Sequence, residues 1–221
     1  MEPAAAFAVA VLAGYLVGGI PFGVLVARVR GVNLREVGSG NIGATNVARA
    51  CGRAWGVLVF GLDAAKGFAP AFFLPSLLGY GGAELEIPLR AAAGLAAVAG
   101  HVWPVYLRLR GGKGAAAGAG ALAAVAPHAA AGALLAWLVA FALWRYVSLA
   151  SMVGAGAGLM VALGTATGID WALPRVTAVA FCGLTLAVVL ARHRANVGRL
   201  LRGEEPRAFS QKRKPAEGDA S

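Results

Sequence analysis

Residues 4–29 read AAAFAVAVLAGYLVGGIPFGVLVARV, an apolar run in which the only charged residue, Arg28, stands next to the end. A helix needs about 20 consecutive apolar residues to cross a bilayer. The run therefore predicts a membrane-spanning helix, and its glycines and proline permit a kink and close packing against neighbouring helices. No lysine or arginine precedes the run, so we do not expect a cleavable signal sequence, which begins with a basic segment.

The same apolar pattern recurs along the whole chain. Of its 221 residues, 59% are hydrophobic and 14% are charged, which excludes an ordinary soluble domain. We predict one domain over residues 1–205, an all-α integral membrane protein with seven transmembrane helices. After the first span at 4–29, the others are expected at about 55–80, 87–107, 114–126, 128–144, 148–167 and 171–191.

Residues 115–144 decide the topology, because this apolar stretch is interrupted only at Pro127 and His128. Lysine and arginine concentrate on the cytoplasmic side of membrane proteins, which also accounts for the net charge of +10. Two short helices keep Arg145 and the basic C-terminal segment on that side. We therefore predict two helices here, with the N-terminus outside and the C-terminus in the cytoplasm. Residues 206–221 are expected to form a disordered basic cytoplasmic tail.

Between the first two spans, residues 37–49 read VGSGNIGATNVAR. Glycines allow a backbone to approach a ligand closely, and successive backbone N–H groups in such turns bind anions. Arg49 adds a planar cation suited to phosphate. A turn-rich loop without a ligand is the plainer interpretation. The phosphate-site hypothesis takes in Gly38, Ser39, Gly40, Asn41, Gly43, Thr45, Asn46 and Arg49.

Two further polar segments, 108–114 (RLRGGKG) and 192–205 (RHRANVGRLLRGEE), lie on the same predicted side. The first is not a P-loop, because Leu107 and Gly114 replace residues which that motif requires. A basic membrane anchor would account for the arginines of the second but not for its histidine, asparagine and glutamates. We therefore predict a composite anion site. These segments contribute Gly112, Lys113, Gly114, His193, Asn196, Arg199 and Glu205.

Asp63 and Lys66 stand three residues apart inside the second predicted span, where charges are costly unless they are paired or face a polar cavity. Two interpretations stay open: an ion pair that locks helix packing, or a role of Lys66 at the site. His101 is expected to pack near a proline kink. No carboxylate or His/Cys constellation suggests a metal, and no cofactor is expected.

Together these motifs resemble the bacterial acyl-phosphate:glycerol-3-phosphate acyltransferases, the PlsY family. The resemblance is carried by residues 38–49, 111–114 and 193–205, and it extends to 63–67, 100–104 and 145–151 in the family's order. It implies a multi-pass enzyme of the bacterial plasma (inner) membrane with a cytoplasmic active site. Such an enzyme transfers a fatty acyl group from a long-chain acyl phosphate to the sn-1 hydroxyl of glycerol-3-phosphate.

The products of this reaction are lysophosphatidic acid and inorganic phosphate, and it is the first acylation of phospholipid synthesis. The resemblance implies that neither coenzyme A nor acyl carrier protein is the direct donor. The expected partners are therefore the two substrates and the lipid bilayer, and no nucleic acid.

We assign catalytic roles to Ser39, Arg49, Lys113, His193 and Asn196. Arg49 with the 38–46 backbone is expected to hold one phosphate, and Lys113 the other phosphate or the oxyanion. The glycerol would lie near His193, Asn196 and Glu205, and Ser148 and Ser151 could approach the same pocket.

Three routes for the attacking hydroxyl stay open: proton transfer to the leaving phosphate, proton transfer to His193 as general base, and a covalent intermediate on Ser39. A transporter of a small organic phosphate is the alternative function, because it would also use broken helices and intramembrane charges. A lipid-binding scaffold explains the basic residues but not the pattern of serine, asparagine and glycine.

Overall fold

The computed structural model describes residues 1–165 and 172–208, and within these ranges the protein is all-α, with no strand. The helices are α1 (Pro3–Gly19), α2 (Phe22–Val29), α3 (Ala44–Cys51), α4 (Arg53–Leu77), α5 (Glu86–Val102), α6 (Ala115–Val125), α7 (Pro127–Trp144), α8 (Val147–Thr165), α9 (Leu173–Arg192) and α10 (Arg194–Leu201). A short 3₁₀ turn at Val105–Leu107 follows α5. The predicted all-helical class is confirmed.

Five stretches of the described residues are long and apolar enough to cross a membrane: Pro3–Val29, α4, α7, α8 and α9. The other two predicted spans contain shorter helices, because α5 has 17 residues and α6 has 11. A count of seven spans and their orientation therefore stay predictions. The end of the sixth predicted span and the start of the seventh fall on 166–171, outside the described residues.

Proline explains where two of the apolar runs break. The first run divides into α1 and α2 at Ile20 and Pro21, and Lys66 Nζ donates a hydrogen bond of 2.7 Å to the Ile20 carbonyl there. This carbonyl lies at a helix end, where it needs a partner from outside the helix. The run 115–144 divides in the same way into two helices, with Pro127 as the first residue of α7. That both helices cross the membrane stays a prediction.

Glycine lets the central helices touch backbone to backbone. A Cβ atom at Gly67 of α4 would lie 2.0 Å from the carbonyl oxygen of Ala117, and one at Gly120 of α6 would lie 1.9 Å from that of Ala64. Each helix therefore presents a glycine to the other. Such contacts drive association inside a bilayer, where apolar side chains gain little by leaving lipid.

Two apolar clusters hold the polar segments in place. One lies among α5 to α9 and is centred on Ala121, Leu122 and Phe181. The other contains Leu34, Ile42 and Val47, and it ties the loop after α2 to α3 and α4. The loop that carries the first polar motif is therefore held against α3 and α4 by apolar contacts.

The C-terminal segment remains in contact with the helices beyond its predicted boundary at residue 206. The Ala208 N–H donates to the Arg145 carbonyl at 2.7 Å, and the Arg207 guanidinium lies 5.6 Å from the centre of the Tyr146 ring. The expectation of a disordered tail therefore does not describe residues 206–208. Residues 209–221 lie outside the described residues.

The glycine contact between α4 and α6 gives a test of the fold. Gly67→Ala is expected to destabilise the protein by about 1–3 kcal/mol, because its methyl group would force two backbones apart. Gly61→Ala on the same helix meets no atom within 4 Å and should leave stability unchanged or slightly raised. Thermal unfolding in detergent micelles measures both, and equal melting temperatures would contradict the close-contact explanation.

Candidate functional site

The first polar motif is shaped by the side chain of Asn46, which is 1% exposed. Its amide nitrogen donates to the carbonyls of Leu34 and Val37 at 3.2 and 3.0 Å, and its oxygen accepts from the Ser39 N–H at 3.1 Å. Every bond goes to the backbone of residues 34–39. Asn46 therefore holds the loop in shape, and its part in phosphate binding stays a prediction.

Gly38 is the position at which this loop demands glycine. Its φ is +63°, in the left-handed region, and a Cβ atom there would lie 2.3 Å from Asn46 Oδ1. Gly40 also has a positive φ of +66°. The side chains of Ser39, Asn41 and Thr45 make no hydrogen bond with another described residue, so their polar groups are available to a ligand.

The second polar segment is fastened to the end of α5. The Gly111 N–H donates to the Val102 carbonyl at 3.1 Å, and the Gly112 N–H donates to the His101 carbonyl at 3.0 Å. A Cβ atom at residue 112 would lie only 2.1 Å from His101 Nε2, so the imidazole fills the space that a side chain would need. Gly114, at φ +86°, is the N-cap residue that precedes α6. Lys113 is therefore displayed from a fixed turn.

His101 is connected in turn to the charged pair inside α4. Asp63 Oδ1 lies 2.8 Å from Lys66 Nζ and 3.6 Å from His101 Nδ1, and the three side chains are almost completely buried. Lys66 Nζ is paired with Asp63 and donates a hydrogen bond to the Ile20 carbonyl at the break after α1. The contacts therefore favour the ion-pair interpretation of Lys66, whose predicted part in phosphate binding finds no support in them.

At the centre of the site, a hydrogen-bonded chain joins the second and third polar segments. Lys113 Nζ donates to Asn196 Oδ1 at 2.7 Å, and Asn196 Nδ2 donates to Glu205 Oε1 at 2.7 Å. The Ser148 hydroxyl also donates to Glu205 Oε1, at 2.6 Å. Arg199 Nε donates to Glu205 Oε2 at 2.7 Å. The Glu205 carboxylate is thus the common acceptor of this network, which we call the Glu205 network.

Cations crowd around this one carboxylate. Burial lowers the pKa of Arg49, the charge of Glu205 opposes that change, and Arg199 adds to it. Arg49 therefore lies within electrostatic reach of both and brings the first polar segment to the network. Arg192, which was not among the predicted site residues, donates from Nε to the Gly112 carbonyl at 3.3 Å.

The same surroundings alter the ionisation of Lys113. Burial lowers its pKa to about 8, Glu205 opposes the change, and the neighbouring arginines 199, 49 and 192 reinforce it. Burial would raise the pKa of Glu205, but hydrogen bonds from Ser148, Asn196 and Arg199 outweigh this effect and lower it. The site therefore contains one ionised carboxylate and a surplus of positive charge.

His193 is buried and neutral. Burial and the charge of Lys113 lower its pKa to about 4, against the opposing effects of a hydrogen bond with Val189 and of Glu205. Nδ1 lies 2.8 Å from the Val189 carbonyl, so in the neutral ring this nitrogen carries the proton. Nε2 then keeps its lone pair and can accept a hydrogen bond.

Not all predicted residues meet. Six of the predicted residues lie in or against the Glu205 network, and Arg49 lies nearby. The six are Ser148, Lys113, His193, Asn196, Arg199 and Glu205. Ser151 is one turn along α8, where its hydroxyl donates to the Val147 carbonyl at 2.8 Å and faces Trp137. It does not reach Glu205. Sequence reasoning missed the link of His101 to Gly112, for which the only signal was a histidine near the end of an apolar run.

No group of three or more His, Cys, Asp or Glu side chains in the described ranges is arranged to hold a metal ion. The functional groups that the described site offers are therefore its cations, one carboxylate, one neutral imidazole and backbone N–H groups. The first turn of α6, immediately after Lys113, adds N–H groups that have no partner within the helix. This combination favours binding of phosphate or of a developing oxyanion.

Residues 8–203 match the family described as glycerol-3-phosphate acyltransferase. A glycerol-3-phosphate acyltransferase of Anaeromyxobacter dehalogenans (strain 2CP-C) is 45% identical over 210 residues, which are 93% of this chain and 98% of that protein. The one of Aquifex aeolicus (strain VF5) is 41% identical over 198 residues, covering 89% of this chain and 96% of that protein.

Two crystal structures are similar to the whole fold. Both are of PlsY, described as an integral membrane glycerol 3-phosphate acyltransferase, and each covers 91% of this chain and 94% of its own. The glycerol 3-phosphate form superposes with a TM-score of 0.80 at 39% identity. The lysophosphatidic acid form superposes with a TM-score of 0.78 at 38% identity.

The role of Asn46 as a clamp on the first motif can be measured without any ligand. Asn46→Ala is expected to cost about 2–4 kcal/mol, because it removes three hydrogen bonds and leaves buried backbone groups unpaired. Hydrogen–deuterium exchange of the Ser39 amide should accelerate markedly. Asn41→Ala is the matched control, since its side chain bonds to no described residue. Equal exchange in the two variants would contradict the assignment.

Proposed function

The chain belongs to the glycerol-3-phosphate acyltransferase family, and from this membership we propose that it transfers a fatty acyl group from an acyl phosphate to the sn-1 hydroxyl of glycerol-3-phosphate. The observation that carries the proposal is the excess of cations around the Glu205 network. Arg49, Lys113 and Arg199 come from three separate polar segments and surround one carboxylate. Two phosphate-bearing substrates supply the negative charge that this arrangement lacks.

Glycerol-3-phosphate is the acceptor that the network suits. Its phosphate requires cations, and its hydroxyl groups require acceptors such as Glu205 and the free Nε2 of His193. One of the similar crystal structures is described as a glycerol 3-phosphate form, which supports the same acceptor here. The products would be lysophosphatidic acid and inorganic phosphate.

An acyl phosphate is the donor because it brings its own phosphate to the cations. The backbone of residues 38–43 and Arg49 would hold that phosphate. Among the described residues, Lys113 makes one hydrogen bond, to Asn196, so two of its three N–H donors can face the leaving phosphate or the carbonyl oxygen. One donor aimed at a developing oxyanion typically contributes about 2.7–4 kcal/mol. The acyl chain would extend among the apolar helices.

In the reaction, the sn-1 oxygen attacks the carbonyl carbon, and the bond from that carbon to the phosphate oxygen breaks. The leaving phosphate departs with the electron pair of that bond and accepts the proton of the hydroxyl group, so the step needs no separate protein base. A pKa of about 4 makes His193 a poor general base, but its Nε2 can orient the hydroxyl group. Ser39 makes no side-chain bond to a base among the described residues, which disfavours a covalent intermediate.

We place the site at the cytoplasmic face of a bacterial inner membrane, because its three polar segments and their arginines obey the positive-inside rule in one orientation. The transporter alternative loses its main support, since Asp63 and Lys66 pair with each other inside the helix bundle. Membership of an acyltransferase family also argues against it. The bilayer would supply the donor and receive the product.

Purified protein supplied with palmitoyl phosphate and labelled glycerol-3-phosphate should release lysophosphatidic acid and inorganic phosphate in equal amounts. Arg49→Ala and Lys113→Ala are each expected to lower kcat/KM by at least about 100-fold, because each removes a cation from the reacting phosphates. Arg202→Ala, an exposed cation outside the network, is the matched control. Turnover with palmitoyl-coenzyme A but not with palmitoyl phosphate would contradict the proposed donor.

Lys113 should also give the reaction an alkaline limit. Below pH 8 its side chain is an ammonium ion, and above pH 8 it becomes a neutral amine that no longer stabilises negative charge. The value of kcat/KM, which reports on the free enzyme, should therefore fall as pH rises through about 8. Lys113→Arg remains charged at these pH values, so its residual activity should lack this limit. A wild-type profile that stays flat to pH 10 would exclude the assignment.

A further inference from the structure

Two adjoining cavities lie between α2, the loop that follows it and the segment after α5. The larger, of about 470 Å³, is lined by α2 and by the loop after it, and the smaller, of about 420 Å³, lies against the segment after α5. Arg35 and Leu107 line both cavities, so the two form one groove, which we call the α2 groove. Its lining shares one described residue with the acyltransferase site: Ile42, which belongs to the 38–43 backbone that we assign to phosphate.

Every charged residue that lines the α2 groove is an arginine, beside the neutral polar residues Asn33 and Tyr106. Its charged lining residues are Arg28, Arg35, Arg108 and Arg110, and no carboxylate lines it. Arg35 donates to the carbonyls of Gly40 and Arg110, which fixes the groove between two loops. Unbalanced guanidinium groups in a preformed groove favour an anionic ligand, and their fork geometry suits phosphate.

The backbone is held in an uncommon conformation where this positive charge is displayed. Arg108 has φ +51° and Leu109 has φ +62°, so two consecutive non-glycine residues occupy the left-handed region. Such residues cost free energy and are concentrated at ligand-binding and other functional sites. Leu109 is 57% exposed beside the arginines, as expected of a segment that meets lipid.

The other half of the α2 groove is apolar and continuous with a membrane-length stretch. Val24, Ala27, Val32 and Leu34 line it, and the first two belong to the 27-residue stretch Pro3–Val29, long enough to cross a bilayer. A soluble acidic protein would complement the arginines but not this wall. A lipid complements both halves, because its phosphate and its acyl chain are joined at one end.

We propose that the α2 groove binds an anionic phospholipid of the surrounding bilayer, with the lipid phosphate between Arg108 and Arg110 and an acyl chain along Val24 and Val32. This site is separate from the substrate site. It would fasten the loop that carries the first polar motif to the membrane, because Arg35 connects that loop to the groove wall.

Native mass spectrometry of the full-length protein, released from micelles with phosphatidylglycerol or phosphatidylcholine, tests this site. The wild type should retain phosphatidylglycerol in preference to phosphatidylcholine. The double variant Arg108→Asn/Arg110→Gln should bind phosphatidylglycerol at least about tenfold more weakly, since each arginine contributes to attraction of anionic lipid. Asparagine is chosen at 108 because it tolerates a positive φ.

Three further variants separate the groove from general charge and from folding. Arg202→Gln/Arg207→Gln removes the same charge elsewhere and should retain the lipid. Arg108→Lys/Arg110→Lys keeps the charge and should restore most of the affinity. Val24→Trp keeps all four arginines, occupies the apolar half and should displace the lipid. The melting temperature in lipid-free micelles should be the same in Arg108→Asn/Arg110→Gln and in the wild type, which shows that the variant is folded.

Equal retention of phosphatidylglycerol and phosphatidylcholine would overturn the proposal, as would unchanged retention in Arg108→Asn/Arg110→Gln. Displacement of the lipid by excess inorganic phosphate alone would instead identify the cavity as a site for free phosphate. Loss of retention in the Arg202→Gln/Arg207→Gln control would reduce the effect to net charge. None of these outcomes depends on whether the acyl donor is an acyl phosphate.

Discussion

The structure of the site depends on one buried carboxylate. Glu205 is 8% exposed, and it accepts hydrogen bonds from Ser148, Asn196 and Arg199. Through Asn196 it also fixes Lys113. Several cations would repel one another strongly in a partly dehydrated site, and a single fixed anion at their centre reduces that cost. Without it, the three polar segments would have no electrostatic reason to meet at one point.

A membrane environment increases the importance of this arrangement. The helices associate through close backbone contacts, as between α4 and α6, and these contacts do not specify where polar loops lie. The loops are instead positioned by hydrogen bonds to backbone: Asn46 holds residues 34–39, and the end of α5 holds Gly111 and Gly112. Apolar packing thus builds the scaffold, and polar contacts assemble the site on it.

The sequence predicted the helical class, the break before Pro127 and the convergence of three polar segments, because apolar length and charge placement are properties of the chain alone. It did not predict which side chains are structural. The tetrapeptides that begin at Asn46 and at Asn196 share the pattern Asn-Val-x-Arg. Yet the first asparagine binds only nearby backbone, whereas the second joins Lys113 to Glu205. Their partners come from distant segments, and a single sequence does not encode that pairing visibly.

The low pKa of Glu205 also limits what this residue can do. A carboxylate that accepts three hydrogen bonds is a weak base, so its contribution is to hold charge and geometry rather than to remove a proton. Lys113, in contrast, is half-buried and its pKa is lowered to about 8. Among the described residues it uses one N–H donor, in the hydrogen bond to Asn196. An incoming phosphate would strengthen its charge and meet donors that are already oriented. Stabilisation by groups that need no rearrangement is the form of electrostatic catalysis that such a site can provide.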